Sequence, residues 1–573
     1  MTSPAIPPSS AVTSAAEAAL RAAAAAEPAK KGKKPPTMGP VRTNLEAFGV
    51  AILAAVLLKW FCIEAYVIPT SSMQPTLMGD NNAGVFDRIL VDKAAATVRE
   101  PQRWDITVFK YPLQKNQNYV KRLVGMPGDR LTIGGGNLYQ VTDAGGKRSY
   151  AAIRKPDDLQ ELMWRDVYPA RRLVGGESKG LDKAWAVTPS SAGSEDERGF
   201  ALKLEGGSTR KLYFRDADHG GFVDLYWDGY PTKAAAAIRA GMGPMPQEIV
   251  PDAKLAALVT PEDGLDELAF EIEVRRPGHD RLTYTFAIKG GKGRLQVRGK
   301  DGQPLAESPE FAVELPARSA TELAFAHVDD QLIAWRAGRE VQRFDTNAWT
   351  CRDGCVLPYE PGKPCVATAD QAVTPQFTAK GKGTLRLDDV RLWRDLHYTR
   401  STAPELIEVP EGHYYMMGDN TLGSIDSRGF TAVTVWVKGN QIVPEGTEGA
   451  RPVRGNKRPV PLDQPPDRDE TPIAIPSRHA VVMIDEYGEI LRLEGDPGAG
   501  WAAQGVVFRK PGTAGQDGRD EFRAVETTPG NTVGVSFVPR SDIQGRGLLV
   551  FYPCRPFSWL TGSTWPGRFG TVR

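Results

Sequence analysis

Cysteine, histidine and net charge are all scarce in this chain. Of 573 residues only five are cysteine and six are histidine, and the formal net charge is +1. Cys62 stands alone in an apolar segment, while Cys351, Cys355, Cys365 and Cys554 lie far downstream. The Cys351/Cys355 pair has one further cysteine nearby and no fourth ligand at finger-like spacing, so no metal site is expected. An oxidising compartment would allow disulfides among these four. A net charge so near zero gives no field that would gather nucleic acid. No period of roughly 20 to 50 residues recurs, which excludes a repeat array. Long uncharged apolar runs are also missing, apart from residues 47–58.

What is present points to β structure. Glycine (59) and proline (45) are plentiful at 41% hydrophobic content, which implies many turns, and the length suits roughly two to four domains. Residues 1–44 are rich in Ala, Pro, Ser and Lys with no apolar face, and read as a disordered arm. Residues 45–68 are the membrane candidate: as a helix they would extend about 36 Å, enough to cross a bilayer core. Lys59 and Glu64 interrupt its second half, where Trp60 and Tyr66 suit an interface and Lys59 can snorkel. Lys30, Lys31, Lys33, Lys34 and Arg42 precede it with no acid between Lys30 and Arg42. The positive-inside rule then puts the N-terminus in the cytoplasm and everything after Ile68 outside it.

Directly after this segment comes Pro69-Thr70-Ser71-Ser72-Met73-Gln74-Pro75-Thr76-Leu77. Two prolines restrict the backbone and disfavour a continuing helix, so Ser72 is expected on an extended segment with its hydroxyl free to point away. Short β-branched strands follow, among them Tyr119-Val120-Lys121-Arg122-Leu123-Val124. Neighbours in a strand face opposite ways, so either Lys121 or Arg122 must point to the apolar side. From about 141 to 404 the texture changes. Residues 156–167 read as one helix, with Leu159, Leu162, Met163 and Val167 at helical spacing. Gly-punctuated strands then suggest a β-sandwich. Residues 324–344, with an Asp329-Asp330 turn and a strand carrying Trp335, resemble a concanavalin-like jelly roll. Near 405 the first texture returns with Gly418-Asp419-Asn420 and Ser424-Ile425-Asp426-Ser427-Arg428. A Pro- and charge-rich linker, β-like material over 479–530, and Phe537-Val538-Pro539 leading to an apolar strand complete the chain.

In that order these stretches resemble type I signal peptidases. The motifs are Pro69 to Leu77 after a membrane helix, Asp87-Arg88-Ile89-Leu90-Val91-Asp92-Lys93, Trp104 to Pro112 with Tyr119 to Asp129, and Gly418-Asp419-Asn420 with Ser424 to Arg428. Phe537-Val538-Pro539 to Gly545-Arg546 looks like the family's last core strand. The chain departs from the family at Thr421-Leu422-Gly423, where Arg-Asp-Asn is common. The resemblance covers 45–140, 405–430 and 535–573 only. The implied fold is mainly β: one N-terminal transmembrane helix (45–68), then an antiparallel catalytic core in three parts (69–140, 405–430, 535–573). A large insertion (141–404), a helix plus a jelly-roll-like sandwich, and a smaller β-rich one (431–534) interrupt it. Loop tips tolerate such insertions because closure entropy grows slowly with length.

The resemblance assigns the chemistry. Ser72 is the nucleophile and Lys121 its general base, a Ser-Lys variant of the triad logic. Thr70 and the Ser72 N–H are the oxyanion donors. Ser424 orients the lysine amine, with Asp426, Arg428 and Asp419 supporting the loop. The alternative for Asp426 and Arg428 is a surface ion pair. No histidine stands at a position for a Ser-His-Asp site: His219, His279, His327 and His397 lie in the large insertion, His479 in the smaller one, and His413 beside the fourth motif. No cofactor and no nucleic acid are implied. The partners implied are signal-peptide-bearing preproteins, the bilayer and the export machinery, with the catalytic domain on the extracytoplasmic face of the cell membrane. Two other readings compete. An autocleaving repressor shares the dyad but needs no membrane segment. A membrane-anchored binding protein would pair a degenerate core with a carbohydrate- or peptide-binding sandwich.

Overall fold

The computed structural model describes residues 40–168, 184–215, 249–346, 372–456 and 537–552, apart from short gaps at 75, 81–84, 113, 145–146, 263, 276–280, 401–405, 429–431 and 445. It also describes strands at 473–475, 480–484, 490–494, 503–508, 522–527 and 570–571. Cys351, Cys355, Cys365 and Cys554 lie outside the described residues. The chain divides into two units, residues 1–62 and 63–573.

In the first unit, Pro40–Leu57 is an α-helix that ends in a π turn, Leu58–Cys62. Asn44–Phe61 is the one stretch among the described residues long and apolar enough to cross a membrane. The helix is shorter than the expected 45–68. Ile63–Val67 is instead a strand, paired with Arg88–Asp92. The reason is visible in its residues: Ile63, Tyr66 and Val67 are β-branched or aromatic, and Glu64 pairs with Lys93 at 3.2 Å.

The second unit contains an eight-stranded antiparallel core sheet. Its order is Ile63–Val67, Arg88–Asp92, Ile543–Tyr552, Ile106–Tyr111, Gln114–Gly125, His413–Met417 and Val538–Pro539, with Gly570–Thr571 beside Ile543–Tyr552. Ile543–Tyr552, from the end of the chain, thus lies between two strands from its first fifth. Arg88–Asp92 alternates, burying Ile89 and Val91, whereas Ile106, Val108 and Phe109 are all buried because both faces of their strand are covered. A smaller sheet joins Ile407–Glu408 to Arg130–Gly134, Asn137–Ala144 and Lys147–Ala152.

A β-sandwich occupies the middle of the chain. One eight-stranded sheet includes Gly199–Leu204, Gly383–Arg394, Ala253–Pro261, Thr321–Val328, Gln331–Arg336 and Arg339–Asp345; the other includes Arg210–Phe214, Ala372–Gly381, Leu265–Arg275, Leu282–Lys289 and Lys292–Arg298. Their inner faces share one apolar cluster, with Phe270, Phe286, Phe325, Phe377 and Leu385 fully buried. Each such side chain contributes about 1.5–3 kcal/mol of burial. Asp329 (φ 46°) and Asp330 (φ 56°) make the tight hairpin turn between Thr321–Val328 and Gln331–Arg336, with positive φ at both central residues.

The expected helix over 156–167 is only Asp157–Met163. Trp164 leaves helical geometry, and Arg165–Tyr168 becomes a strand paired with Gly383–Arg394 of the sandwich. Leu159 and Met163 are buried as the spacing implied, while Leu162 is exposed. A further eight-stranded sheet runs from Ala432–Lys438 to Phe522–Thr527.

Candidate active site

The 69–77 segment is a tight turn rather than the extended strand expected. Ser71–Met73 form one turn of 3-10 helix, entered from an extended Thr70 and closed by the Gln74 N–H donating to the Ser71 carbonyl at 3.0 Å. Ser72 is buried, at 8% exposure. Asp87 fastens the loop from beneath: its carboxylate accepts from the Met78 N–H (2.7 Å), and its carbonyl accepts from the Ile68 N–H (2.9 Å). Two glycines let other backbones close on the loop. A Cβ on Gly79 would lie 2.3 Å from the Ile68 carbonyl oxygen, and one on Gly418 would lie 2.4 Å from that of Ser72.

Lys121 reaches the loop from Gln114–Gly125, where it stands opposite Thr107. Its Nζ lies 2.6 Å from Ser72 Oγ. The ammonium end is also 5.3 Å from the centre of the Tyr119 ring. Thr70 Oγ1 is 3.4 Å from the same serine oxygen. Ser72, Lys121 and Thr70 therefore meet within one small volume.

Alternation required one of Lys121 and Arg122 to face inward. Both are buried, at 3% and 0% exposure, because their strand lies between two others and is covered on both faces. The Arg122 guanidinium grips Asp419 through Nε (2.8 Å) and Nη2 (2.7 Å), and Nη1 donates to the Trp104 carbonyl. Thr76 Oγ1 donates to the same Asp419 carboxylate, tying it to the nucleophile loop. Burial pushes the Asp419 carboxyl up, but Arg122, with help from Arg165 and Thr76, holds it below the usual carboxylate range. Trp104 itself has φ 77°, a strained conformation for a non-glycine residue, held by its N–H to the Leu123 carbonyl and its carbonyl to Arg122.

The 418–428 loop turns back onto its own strand. Ser427 Oγ accepts from the Met416 N–H, and the Ser427 N–H donates to the Met416 carbonyl. Asp426 and Arg428 do not form a surface ion pair, since their side chains are 0% and 3% exposed. Arg428 donates to Asp426 through Nε (2.8 Å) and Nη2 (2.7 Å), and the Gly418 N–H donates to Asp426 (2.9 Å). Burial again opposes ionisation, and Arg428 again outweighs it, so the Asp426 carboxyl lies below its ordinary range. Thr421–Gly423, where the sequence departs from the family, is a 3-10 turn capped by Asn420. Asn420 donates through Nδ2 to the Ser71 carbonyl (2.9 Å) and through its N–H to that of Ser72 (3.2 Å). Ser424 Oγ is buried against Gly418 and has no hydrogen-bond partner among the described residues.

Asp87, Arg122 and Asn420 were not singled out from sequence. Arg122 left a signal in the Lys-Arg doublet, and Asn420 one in its place beside Asp419. Among the described residues one group of carboxylates, Asp252, Asp329 and Asp395, is close enough to share a cation. The Lys155 ammonium already stands there, 2.8 Å from both Asp329 Oδ2 and Asp395 Oδ2.

The family model for "Signal peptidase, peptidase S26" matches residues 41–166 and 366–445. The signal peptidase I of Pseudomonas fluorescens is 40% identical over 90 residues, covering 15% of this chain and 32% of that protein. A protein of Synechocystis described as "Probable signal peptidase I-2" is 32% identical over 148 residues, covering 23% and 63%. The chain thus spans one third to just under two thirds of the length of these relatives. Among solved structures, a carbohydrate-binding module of Bacillus subtilis (9% identity, 36% of this chain and 94% of that one, TM-score 0.20) and sheep galectin-11 (12%, 26% and 99%, TM-score 0.17) are similar. Scores this low carry no argument about the sandwich. The two matched segments flank 167–365, which holds most of the sandwich strands, and include both loops described above. By this ordered match on either side of an insertion, the chain is similar to the signal peptidase family, peptidase S26, over residues 41–166 and 366–445.

Proposed function

We propose that this chain is a membrane-bound serine endopeptidase that removes N-terminal signal peptides from exported preproteins through a Ser72–Lys121 dyad. The observation that carries this reading is the 2.6 Å separation of Lys121 Nζ and Ser72 Oγ in a buried setting. A serine hydroxyl needs a base to become a nucleophile. In this mechanism a neutral Lys121 amine takes the Ser72 proton as Oγ attacks the scissile carbonyl carbon. The oxyanion is met by the Thr70 hydroxyl and the Ser72 N–H. The Lys121 ammonium then protonates the departing amine, leaving an acyl-enzyme on Ser72. A water activated by the same amine releases the acyl group. Ser424 Oγ makes no bond to the amine in this arrangement and would turn from Gly418 to orient it, while the Asp419–Arg122 and Asp426–Arg428 pairs hold the two loops in register.

The substrate is the extracytoplasmic end of a signal peptide, bound extended and cut after small residues one and three positions before the bond. Shallow pockets give that selectivity. The helix that precedes the loop in sequence anchors the enzyme, and the lysines before it favour a cytoplasmic N-terminus. Preproteins and the bilayer are the partners, with the export machinery as their supplier. The test uses the full chain in detergent with a model preprotein. Ser72→Ala and Lys121→Ala should each abolish processing; full cleavage by both variants would sink the dyad.

A further inference from the structure

The sandwich is wired to the site by buried polar bonds at both of its chain crossings. On the way in, Lys155 donates to Asp329 at 2.9 and 2.8 Å and pairs with Asp395, while Gln160 Nε2 donates to Asp395 (2.7 Å). A few residues later Arg165, on the strand that pairs with Gly383–Arg394, donates through Nη2 to Thr76 Oγ1 at 3.1 Å. On the way out, the segment that follows Arg394 is held by the 418–428 loop. The His397 carbonyl accepts from Thr421 Oγ1 (2.7 Å), and the carbonyl and hydroxyl of Thr399 both accept from Arg428 Nη1 (2.8 Å each). A decorative insertion would hang on solvated connections. Here the incoming crossing ends on the loop that carries Ser72, and the outgoing one on the loop that carries Ser424 and Asp426.

We propose that Arg165 is a positioning residue for the peptidase site: fixed on a sandwich strand, its guanidinium holds Thr76, and through Thr76 the Asp419–Arg122 pair, so that the sandwich and the nucleophile loop are set in place together. Three observations carry this. Arg165 is 6% exposed and its bond to Thr76 is partly buried, so solvent competes for it less than at an open surface. Thr76 Oγ1 accepts from Arg165 and donates to Asp419, so it transmits the position of one to the other. Arg122, which completes the chain, is the sequence neighbour of Lys121 on the strand that delivers the amine. Arg165 acts through Thr76 rather than on the reacting atoms; it sets where they meet. The inference rests on the dyad reading above for its consequence in catalysis, and on geometry alone for its consequence in the loop.

The experiment compares the full chain in detergent with Arg165→Gln and Arg165→Lys. A fluorogenic peptide with alanine one and three positions before the cleaved bond reads kcat and KM. Amide hydrogen exchange reads the Leu77 and Met78 N–H groups against Phe270 and Phe286 in the sandwich. Arg165→Gln should lower kcat at least tenfold with KM within about twofold, and Arg165→Lys should recover part of the loss. Exchange at Leu77 and Met78 should rise about tenfold while Phe270 and Phe286 stay protected. Unchanged exchange at Leu77 and Met78 would overturn the proposal. Equal acceleration at all four amides would overturn it too, since that is loss of the fold rather than of position. If Ser72→Ala turns over as fast as the unaltered chain, the dyad reading fails, and the exchange arm still decides Arg165.

Discussion

Two buried ionic centres in this protein use the same kinds of residue and balance them differently. Behind the Ser72 loop each carboxylate has a guanidinium of its own: Asp419 with Arg122, and Asp426 with Arg428. Where the sandwich joins the core, Asp252, Asp329 and Asp395 share one ammonium, from Lys155, and one imidazole, from His327. His327 is stacked on Tyr284, and Asp252 holds its pKa above the ordinary value although burial opposes this. Burial is near-complete in both centres. One-to-one pairing nonetheless lets Asp419 and Asp426 ionise more readily than in water. In the shared centre the acids divide: Asp252, held by His327, stays below its ordinary value although burial opposes this, whereas burial, together with the nearby Asp395 and Asp252, pushes Asp329 up to about 6 even though Lys155 opposes it. Whether an acid has a cation of its own, more than its depth, decides which way it moves: Asp252 has His327, while Asp329 shares Lys155 with Asp395.

In the proposed mechanism the paired centre supports the reaction of Ser72 and Lys121 without taking part in it, and that division of roles can be broken. Lys121→Ala should lower kcat/KM by about a thousandfold or more, roughly 4 kcal/mol of transition-state stabilisation. Asp426→Asn keeps the shape of the pair and should lose less, on the order of ten- to a hundredfold. Steady-state kinetics on the same peptide would check both. Equal losses would give Asp426 a part in the chemistry itself.

The shared centre should be the more fragile to loss of its cation. Lys155→Met leaves three carboxylates buried without an ammonium, and removing one partner of a buried pair costs about 3–5 kcal/mol. Because the excess is negative, Lys155→Met combined with Asp329→Asn should regain part of that loss. Denaturant unfolding of the single and double variants measures it. A double variant no more stable than Lys155→Met would mean that shape, and not charge balance, sets the cost.

Acid should act on Asp419 and Asp426 in one direction and on Asp329 in the other. Asp419 and Asp426 have folded values below their unfolded ones. Their contribution is complete above the unfolded range and is lost as pH falls through the folded values. Asp329 is the reverse: its folded value of about 6 lies above the model-peptide value. Its contribution is complete below about pH 4 and is lost as pH rises through about 6, roughly 3 kcal/mol at the 1.36 kcal/mol that accompanies each pKa unit. Stability measured from pH 4 to pH 8 should carry this decline, and Asp329→Asn should remove it. A decline that survives the substitution belongs to another group.

The two centres also differ in how far they could be read beforehand. Pro69 to Leu77 and Lys121 were legible through the resemblance, as was the departure at Thr421-Leu422-Gly423, and the structure brings Lys121 Nζ to 2.6 Å from Ser72 Oγ. The fate of Arg122 was half legible: alternation required one inward cation, but two covered faces, a product of distant strands, made it two. Asp419 stands 297 residues from Arg122, and nothing local announces that pairing. Lys155 and Asp329 are 174 residues apart, and neither was singled out as charged core. Strand alternation identified the sandwich but not its register, which long-range pairing sets. The end of the N-terminal apolar helix was misread because Ile63 to Val67 is apolar enough for either state, and only pairing with Arg88–Asp92 decides it.

The smallest effect tests the same contrast at the surface. Arg294 makes two ion pairs on the sandwich, with Glu307 and, at 2.8 Å, with Glu310. The chemistry matches Arg122 with Asp419, but the Arg294 side chain is 33% exposed where Arg122 is fully buried. Water screens the attraction and already solvates each charge, so breaking the pairs strands nothing. Arg294→Ala should move the thermal midpoint by about 2 °C or less and leave peptide cleavage unchanged. Raising the salt concentration should shrink even that difference, whereas the cost of Asp419→Asn should hardly respond, because its partner is out of reach of ions. A salt-sensitive Asp419→Asn would mean that water reaches the centre behind Ser72, and the contrast between paired and shared charges would then need to be redrawn around access to solvent.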